Sequence, residues 1–334
     1  MQKILIEGYE YEVLEVKEKV TIADSFVVRS NKIGTGNGEA KLYVGNDNSE
    51  LRKFFGSRPF AIKCFLLKKD LITYLEDTEV EYRHPEQPYQ DSMQLPILWA
   101  ERNNKIRNLN ANILEFEVYE QDQISGSRIY VKSQDNNYQI IRELSIPNIT
   151  YISILKLRNL ITNDITFYFR LFADYFGENE HPAIAYEEEQ KILITNRLPT
   201  EEGIQLIKAR KGHGKYRTKL LEECPFCPIT LITDDRLLIA SHIKPWAQSN
   251  NFEKTDPKNG FMLSPTFDFL FDRGFMSFTN DKRTILSPFL SKMTYSKIGI
   301  NNDVLFNRLP VDGREHYLEF HRNNILKIGG DIYT

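Results

Sequence analysis

Three side chains in the last third of the chain have the types and spacing that hydrolytic chemistry needs. LLIASHI (237–243) is a short apolar run closing on a histidine, His242, and Pro245-Trp246 stop it at once. A polar loop of about a dozen residues leads to DPKNG (256–260), where Asp-Pro and Asn-Gly are turn formers, and FMLSP then supplies a second apolar strand. The expected unit is a hairpin with a long loop, carrying His242 at the end of its first strand. Next comes TFDFLFDRG (266–274), which sets Asp268 and Asp272 four residues apart. On a helix that spacing puts both carboxylates on one face, where they repel unless a cation lies between them. Oxygen donors of this kind suit a hard divalent ion, Mg²⁺ or Mn²⁺, one per site. A neutral imidazole beside it can take a proton from water near pH 7, while the ion offsets charge on a phosphate and on a departing oxygen.

These segments together resemble the HNH endonuclease domain of predicted bacterial restriction endonucleases. The resemblance rests on Gly212-His213-Gly214-Lys215-Tyr216-Arg217, Cys227 to Thr230, Ala240 to Trp246, Asp256 to Gly260 and Asp268 to Gly274, in that order. It runs from Ala209 to near Lys327 and does not reach the first 200 residues. It implies a ββα-metal fold with His242 as general base and Asn259 as the central Asn that bonds across the loop and orients the base. It also implies Asp268 as a metal ligand, with Asp272 one turn on as a second. Relatives often carry a ligand just before the base, where this chain has Ser241. With two carboxylates, the ion would keep several waters.

Each residue also has a plainer reading. Asp272 in Asp-Arg-Gly suits a helix C-terminus, and Asn259 in Asn-Gly suits a turn. Cys224-Pro-Phe-Cys227 is half of a zinc site; the other half is missing, and two buried thiols is the favoured reading. The run Lys208, Arg210, Lys211, His213, Lys215, Arg217, Lys219 could be a solvated face or a phosphate-contacting patch. We take Lys211, Lys215 and Arg217, with Lys244, as candidate DNA contacts. His321 in the tail is expected to be packed.

These groups must be positioned by a chain of 334 residues, long enough for two domains. Its 43 Lys and Arg nearly cancel 46 Asp and Glu, so net charge excludes nothing and argues for no polyanionic partner; about 19 of the basic and 16 of the acidic residues fall in 201–334, leaving the first 200 net acidic. No apolar stretch is long enough for a membrane span, the N-terminus is unlike a signal peptide, and three cysteines cannot all pair, so a cytoplasmic location is expected.

Residues 1–60 alternate apolar and polar in ILIEGYEYEVLEV and SFVVRS, with a Gly-rich turn before KLYV, and predict a β meander. Residues 61–77 fit a helix, or a strand and then a helix. RHPEQPYQDS (83–92) is a candidate linker, and NILEFEVYE and SRIYVKS read as strands. ISILKLRNLITNDITFYFRLFADYF (152–176) predicts two packed helices, with Asn163 and Asp164 as a cap. Thr200 before Glu201-Glu202 predicts a helix start and a boundary. The expectation is an α+β chain: a target-recognition region, 1–198, as two subdomains (1–85 β-rich; 93–198 strands then helices), and a nuclease domain, 199–334. The β-rich mixed N-terminal region would join the nuclease through a helical connector.

The expected activity is a metal-dependent, restriction or defence-type endonuclease acting on double-stranded DNA, with the N-terminal region selecting a specific or modified site. One catalytic site per chain cuts one strand per encounter, which points to a homodimer for a double-strand break. The rival is a non-cleaving DNA-binding or regulatory protein that keeps the HNH scaffold, for which Ser241 is the main support. A homing or toxin nuclease is a weaker third.

Overall fold

A computed structural model describes residues 2–35, 38–121, 127–175 and 214–329. The chain divides into two compact units, Met1–Ala183 with Gly329–Thr334, and Ile184–Ile328. Thr200 and the expected boundary at 198/199 lie outside the described residues, as do Lys211 and the side chain of Lys215. No helix among the described residues is long and apolar enough to cross a membrane.

The first unit is built on one eight-stranded sheet in the order β1-β2-β7-β8-β4-β5-β6-β3. Its strands are β1 (Lys3–Ile6), β2 (Tyr9–Thr21), β3 (Leu42–Asn46), β4 (Ala61–Leu67), β5 (Ile113–Glu120), β6 (Arg128–Lys132), β7 (Thr150–Asn159) and β8 (Ile165–Ala173). Neighbours run antiparallel except β4 and β8, which meet in parallel at Cys64–Phe167 and Phe65–Tyr168. Helices α1 (Ser49–Phe55), α2 (Lys68–Arg83), α3 (Leu95–Arg107) and α4 (Asn136–Leu144) contribute Phe54, Leu75, Ile106 and Ile141 to the same apolar core as Ile154 and Phe169 of the sheet.

Four expectations are overturned here. The two subdomains are one body, because β3 pairs with β6 and β4 with β5, so strands from both halves share a sheet. The proposed linker at 83–92 lies inside the unit, with Tyr89 buried and donating to Glu81, and Gln90 N–H bonded to Lys32 O. The predicted helix pair at 152–176, the described part of the expected connector, is the β7–β8 hairpin. Its turn is held by Asn159, whose Oδ1 accepts the amides of Ile161 and Thr162, and by Asn163 at φ 61°. β7 is buried along most of its length between β2 and β8. A strand covered on both faces reads as a continuous apolar run, which periodicity does not separate from a buried helix. SFVVRS is likewise no strand, although Phe26 and Val27 are fully buried.

The second unit uses short elements: α5 (Gly214–Glu223), β9 (Ile239–His242), β10 (Gly260–Leu263), α6 (Pro265–Asp272), β11 (Met276–Phe278), β12 (Thr284–Leu286), α7 (Lys292–Ile298) and α8 (Glu315–Asn324). β9 and β10 form the expected antiparallel hairpin, pairing His242 with Gly260, and residues 243–259 make its long loop. The run FDFLF buries Phe267, Leu270 and Phe271 on one side of α6. Gly274 ends that helix at φ 68°, where a Cβ would lie 2.0 Å from Ile325 O, so both conformation and space require glycine. His321 of α8 is packed as expected: its ring stacks on Phe271, and its nitrogens meet Ser277 Oγ and Phe271 O.

Candidate active site

His242 closes β9, and a ring nitrogen, Nε2, lies 3.1 Å from the carbonyl oxygen of Lys254 in the long loop. A carbonyl only accepts, so Nε2 carries the hydrogen and Nδ1 keeps the lone pair. The imidazole lies flat on Tyr216, with centroids 4.3 Å apart and planes 9° from parallel, and meets Trp246 edge-on at 5.7 Å. Burial pushes its pKa from 6.5 down to about 4, so the ring is neutral at ordinary pH.

Asn259, fully buried, ties the two ends of the loop together. Its Oδ1 accepts Lys244 N–H at 2.8 Å; its Nδ2 faces Lys244 O, Glu253 O and Ser249 Oγ within 3.3 Å. Its own carbonyl accepts Ile243 N–H and the Tyr216 hydroxyl. Lys244, two residues after the histidine, and the segment that supplies the histidine's anchoring carbonyl are thus fastened to one side chain. Gly260 is needed beside it, since a Cβ there would meet the Tyr216 hydroxyl at 2.1 Å.

Asp268 stands in the first turn of α6, and Asp272 is its last residue. Burial raises the Asp268 carboxyl above its ordinary value, and a hydrogen bond from Ser241 offsets part of that rise. Ser241 precedes His242 on β9, so the strand carries the histidine and the contact to Asp268 at adjacent positions. Among the described residues no group of three or more His, Cys, Asp or Glu converges as a metal site. The donor chemistry still suits a hard cation: Asp268 and Asp272 offer oxygen only, and a desolvated carboxylate gains most from a nearby positive charge.

Of the four candidate DNA contacts, the two described side chains, Arg217 and Lys244, are engaged within the fold. Arg217 donates to the carbonyls of Leu238 and Asp235, just ahead of β9. Lys244 Nζ is 2.7 Å from Glu253 and lies over the Phe320 ring. Cys224 and Cys227 are buried free thiols, with Cys227 Sγ near Ser264 Oγ.

Two residues at the site were given no such role from sequence. Tyr216 appeared only as part of the basic motif. Arg314, 1% exposed, sends Nε to Gly260 O and Nη2 to Pro257 O and Glu223, clamping the DPKNG turn from the start of α8. No local pattern announces it, because two of its three partners are backbone carbonyls more than 50 residues away.

Residues 227–279 match the family model described as HNH endonuclease. No curated protein matches the chain. The match takes in β9, the long loop, β10, α6 and β11, and thereby His242, Asn259, Asp268 and Asp272. It supports an HNH domain in the second unit, a domain type that indicates a nuclease and implies binding to DNA.

Proposed function

We propose that the chain is a metal-dependent DNA endonuclease of restriction or defence type, in which residues 199–334 cut and residues 1–198 choose the target. The observation that carries this reading is the arrangement at the end of β9. There a neutral imidazole has one nitrogen committed to Lys254 O, while the preceding residue bonds the Asp268 carboxylate.

In the proposed reaction Nδ1 of His242 takes the proton of the attacking water, and the bond from Nε2–H to Lys254 O steadies the charged ring that results. Asn259 keeps Lys244 and Glu253 in place and so holds the loop that anchors the base. Asp268 and Asp272 would hold Mg²⁺ or Mn²⁺, with water filling the remaining positions. Such an ion supplies positive charge that offsets the charge developing on the phosphate and the departing oxygen. Lys211, Lys215, Arg217 and Lys244 would contact the DNA backbone, Arg217 through guanidinium donors not already given to Leu238 and Asp235.

The first unit would read a sequence or a modified base in double-stranded DNA, and a second copy of the chain would supply the second cut. A plasmid-nicking assay with Mg²⁺ or Mn²⁺ tests the core of this. Wild type should nick, while His242→Ala and wild type in EDTA should not. Equal activity in wild type and His242→Ala, or none in either, removes the catalytic assignment. The second reading is a non-cleaving DNA-binding protein on the same scaffold. It is favoured by the lack of a three-residue ligand group among the described residues, and DNA binding without nicking would establish it.

A further inference from the structure

Histidine's second side-chain torsion is soft, so an imidazole at a strand end can swing its plane and carry its nitrogens off a given partner, and a half-turn puts Cε1 where Nε2 stood. Only one orientation serves the reaction proposed above, the one with Nε2–H on Lys254 O and the Nδ1 lone pair available. The Lys254 contact is a single hydrogen bond to a loop carbonyl, a weak restraint against rotation.

The stronger restraint comes from α5, outside the residues the family model matches. The Tyr216 ring lies parallel to the imidazole at 4.3 Å, and turning His242 about its Cβ–Cγ bond would drive the ring edge into that plane. Trp246 stands edge-on at 5.7 Å. Tyr216 is itself immobile: it is 2% exposed, and its hydroxyl is bonded to Asn259 O. The same side chain therefore touches the base and the residue that fastens the loop.

We propose that Tyr216 is the positioning residue for His242, its ring face fixing the plane of the imidazole so that Nε2–H stays on Lys254 O and Nδ1 is left to act as the base. The proposal rests on the nuclease reading only for its kinetic consequence; the orientation itself can be observed without any cleavage.

The test uses the full chain with Tyr216→Phe, which keeps the ring face, and Tyr216→Leu, which fills most of the volume without one. Tyr216→Met replaces the Leu variant if that one does not fold, as judged by thermal unfolding. Side-chain ¹H–¹⁵N spectra, with the His242 signals assigned by their loss in His242→Gln, report the tautomer. Plasmid nicking with Mg²⁺ reports kcat and KM. Wild type and Tyr216→Phe should show a single Nε2–H tautomer for His242 and kcat within about twofold of each other. Tyr216→Leu should show nitrogen shifts averaged between tautomers and a kcat about 100-fold lower, as small misplacements of catalytic groups produce, with KM for DNA unchanged. A purely structural role would lower stability and leave the tautomer of the folded protein as it was. A single Nε2–H tautomer in Tyr216→Leu overturns the proposal, whatever the activity. If the tautomer shifts as expected but wild type does not nick, the positioning role stands and the nuclease reading fails.

Discussion

The two units are held together by different kinds of bond. In the first, strands of up to 13 residues form long backbone ladders over one large apolar core, and any single side chain is one of many supports. In the second, the site hairpin has strands of four residues, and the 17-residue loop between them is held by individual side chains reaching backbone atoms. Asn259 ties Lys244 to Glu253, Arg314 holds Pro257 and Gly260, and Arg217 holds Asp235 and Leu238. A ladder tolerates local loss because its neighbours remain. A point contact has no neighbour to take over, so the second unit should be brittle where the first is robust.

The largest effect expected is on chemistry. His242→Ala should lower the nicking rate by roughly 10²–10⁴-fold, the usual contribution of a general base, with the variant still folded at the assay temperature. Unfolding at that temperature would mean that the site and its scaffold are not separable in this unit.

Next come the point contacts. Arg314→Met should cost about 3 kcal/mol, because Gly260 O and Pro257 O lose their donor in a buried place. Asn259→Ala should cost about 2–3 kcal/mol on the same grounds and should abolish hydrogen-exchange protection at Lys244 N–H, which donates to the lost oxygen. In β7, Ile154→Ala should cost a similar 2–4 kcal/mol as a cavity, yet leave the exchange pattern along β7 and β8 graded rather than abolished. If Asn259→Ala loses protection no faster than Ile154→Ala does, the contrast between ladder and point contact fails.

The smallest effect is a pH dependence confined to the second unit. His242 and His321 have folded pKa values of about 4 and about 3 against an ordinary 6.5, burial being the main cause in both. Below 6.5 the unfolded chain takes up protons that the folded unit refuses. The stability these two groups contribute is therefore complete above 6.5 and is lost as pH falls towards 4 for His242 and 3 for His321. Urea unfolding near neutrality and at about pH 5, followed by Trp246 fluorescence in a Trp99→Phe background, should show the loss, and His321→Asn should shrink it.

The same contrast explains what could be read from sequence. The positions of His242 at a strand end, Asn259 bonding across the loop and Asp268 and Asp272 on one helix were legible because such contacts need particular residue types at fixed spacing; their roles in base and metal chemistry are what is proposed above. The hairpin and the helix after it followed from short apolar runs punctuated by Asp-Pro, Asn-Gly and Ser-Pro. β7 and β8 were misread because a buried strand needs only apolar residues, and ISILKLRN meets that demand equally well as a helix. The pairing of β3 with β6 leaves no local trace, since what selects a partner 80 or so residues away is the shape of the assembled sheet. Arg314 and the stacked Tyr216 escaped for a related reason, as their roles exist only once distant segments are in place.

The anchor of His242 is a main-chain oxygen, and that bears on how the site can change. Because Lys254 serves through its carbonyl, any residue at that position can hold the imidazole so long as the loop keeps its path. Side-chain replacement at 254 would leave that oxygen in place and report only on the Lys254 ammonium, whose charge helps keep the ring neutral and which lies over Trp246. Loop length is the exposed variable instead: deleting one residue between Ser249 and Thr255 would displace that oxygen while removing no catalytic side chain. Lineages descended from this chain could thus vary the residue at 254 while the length of the loop stayed fixed.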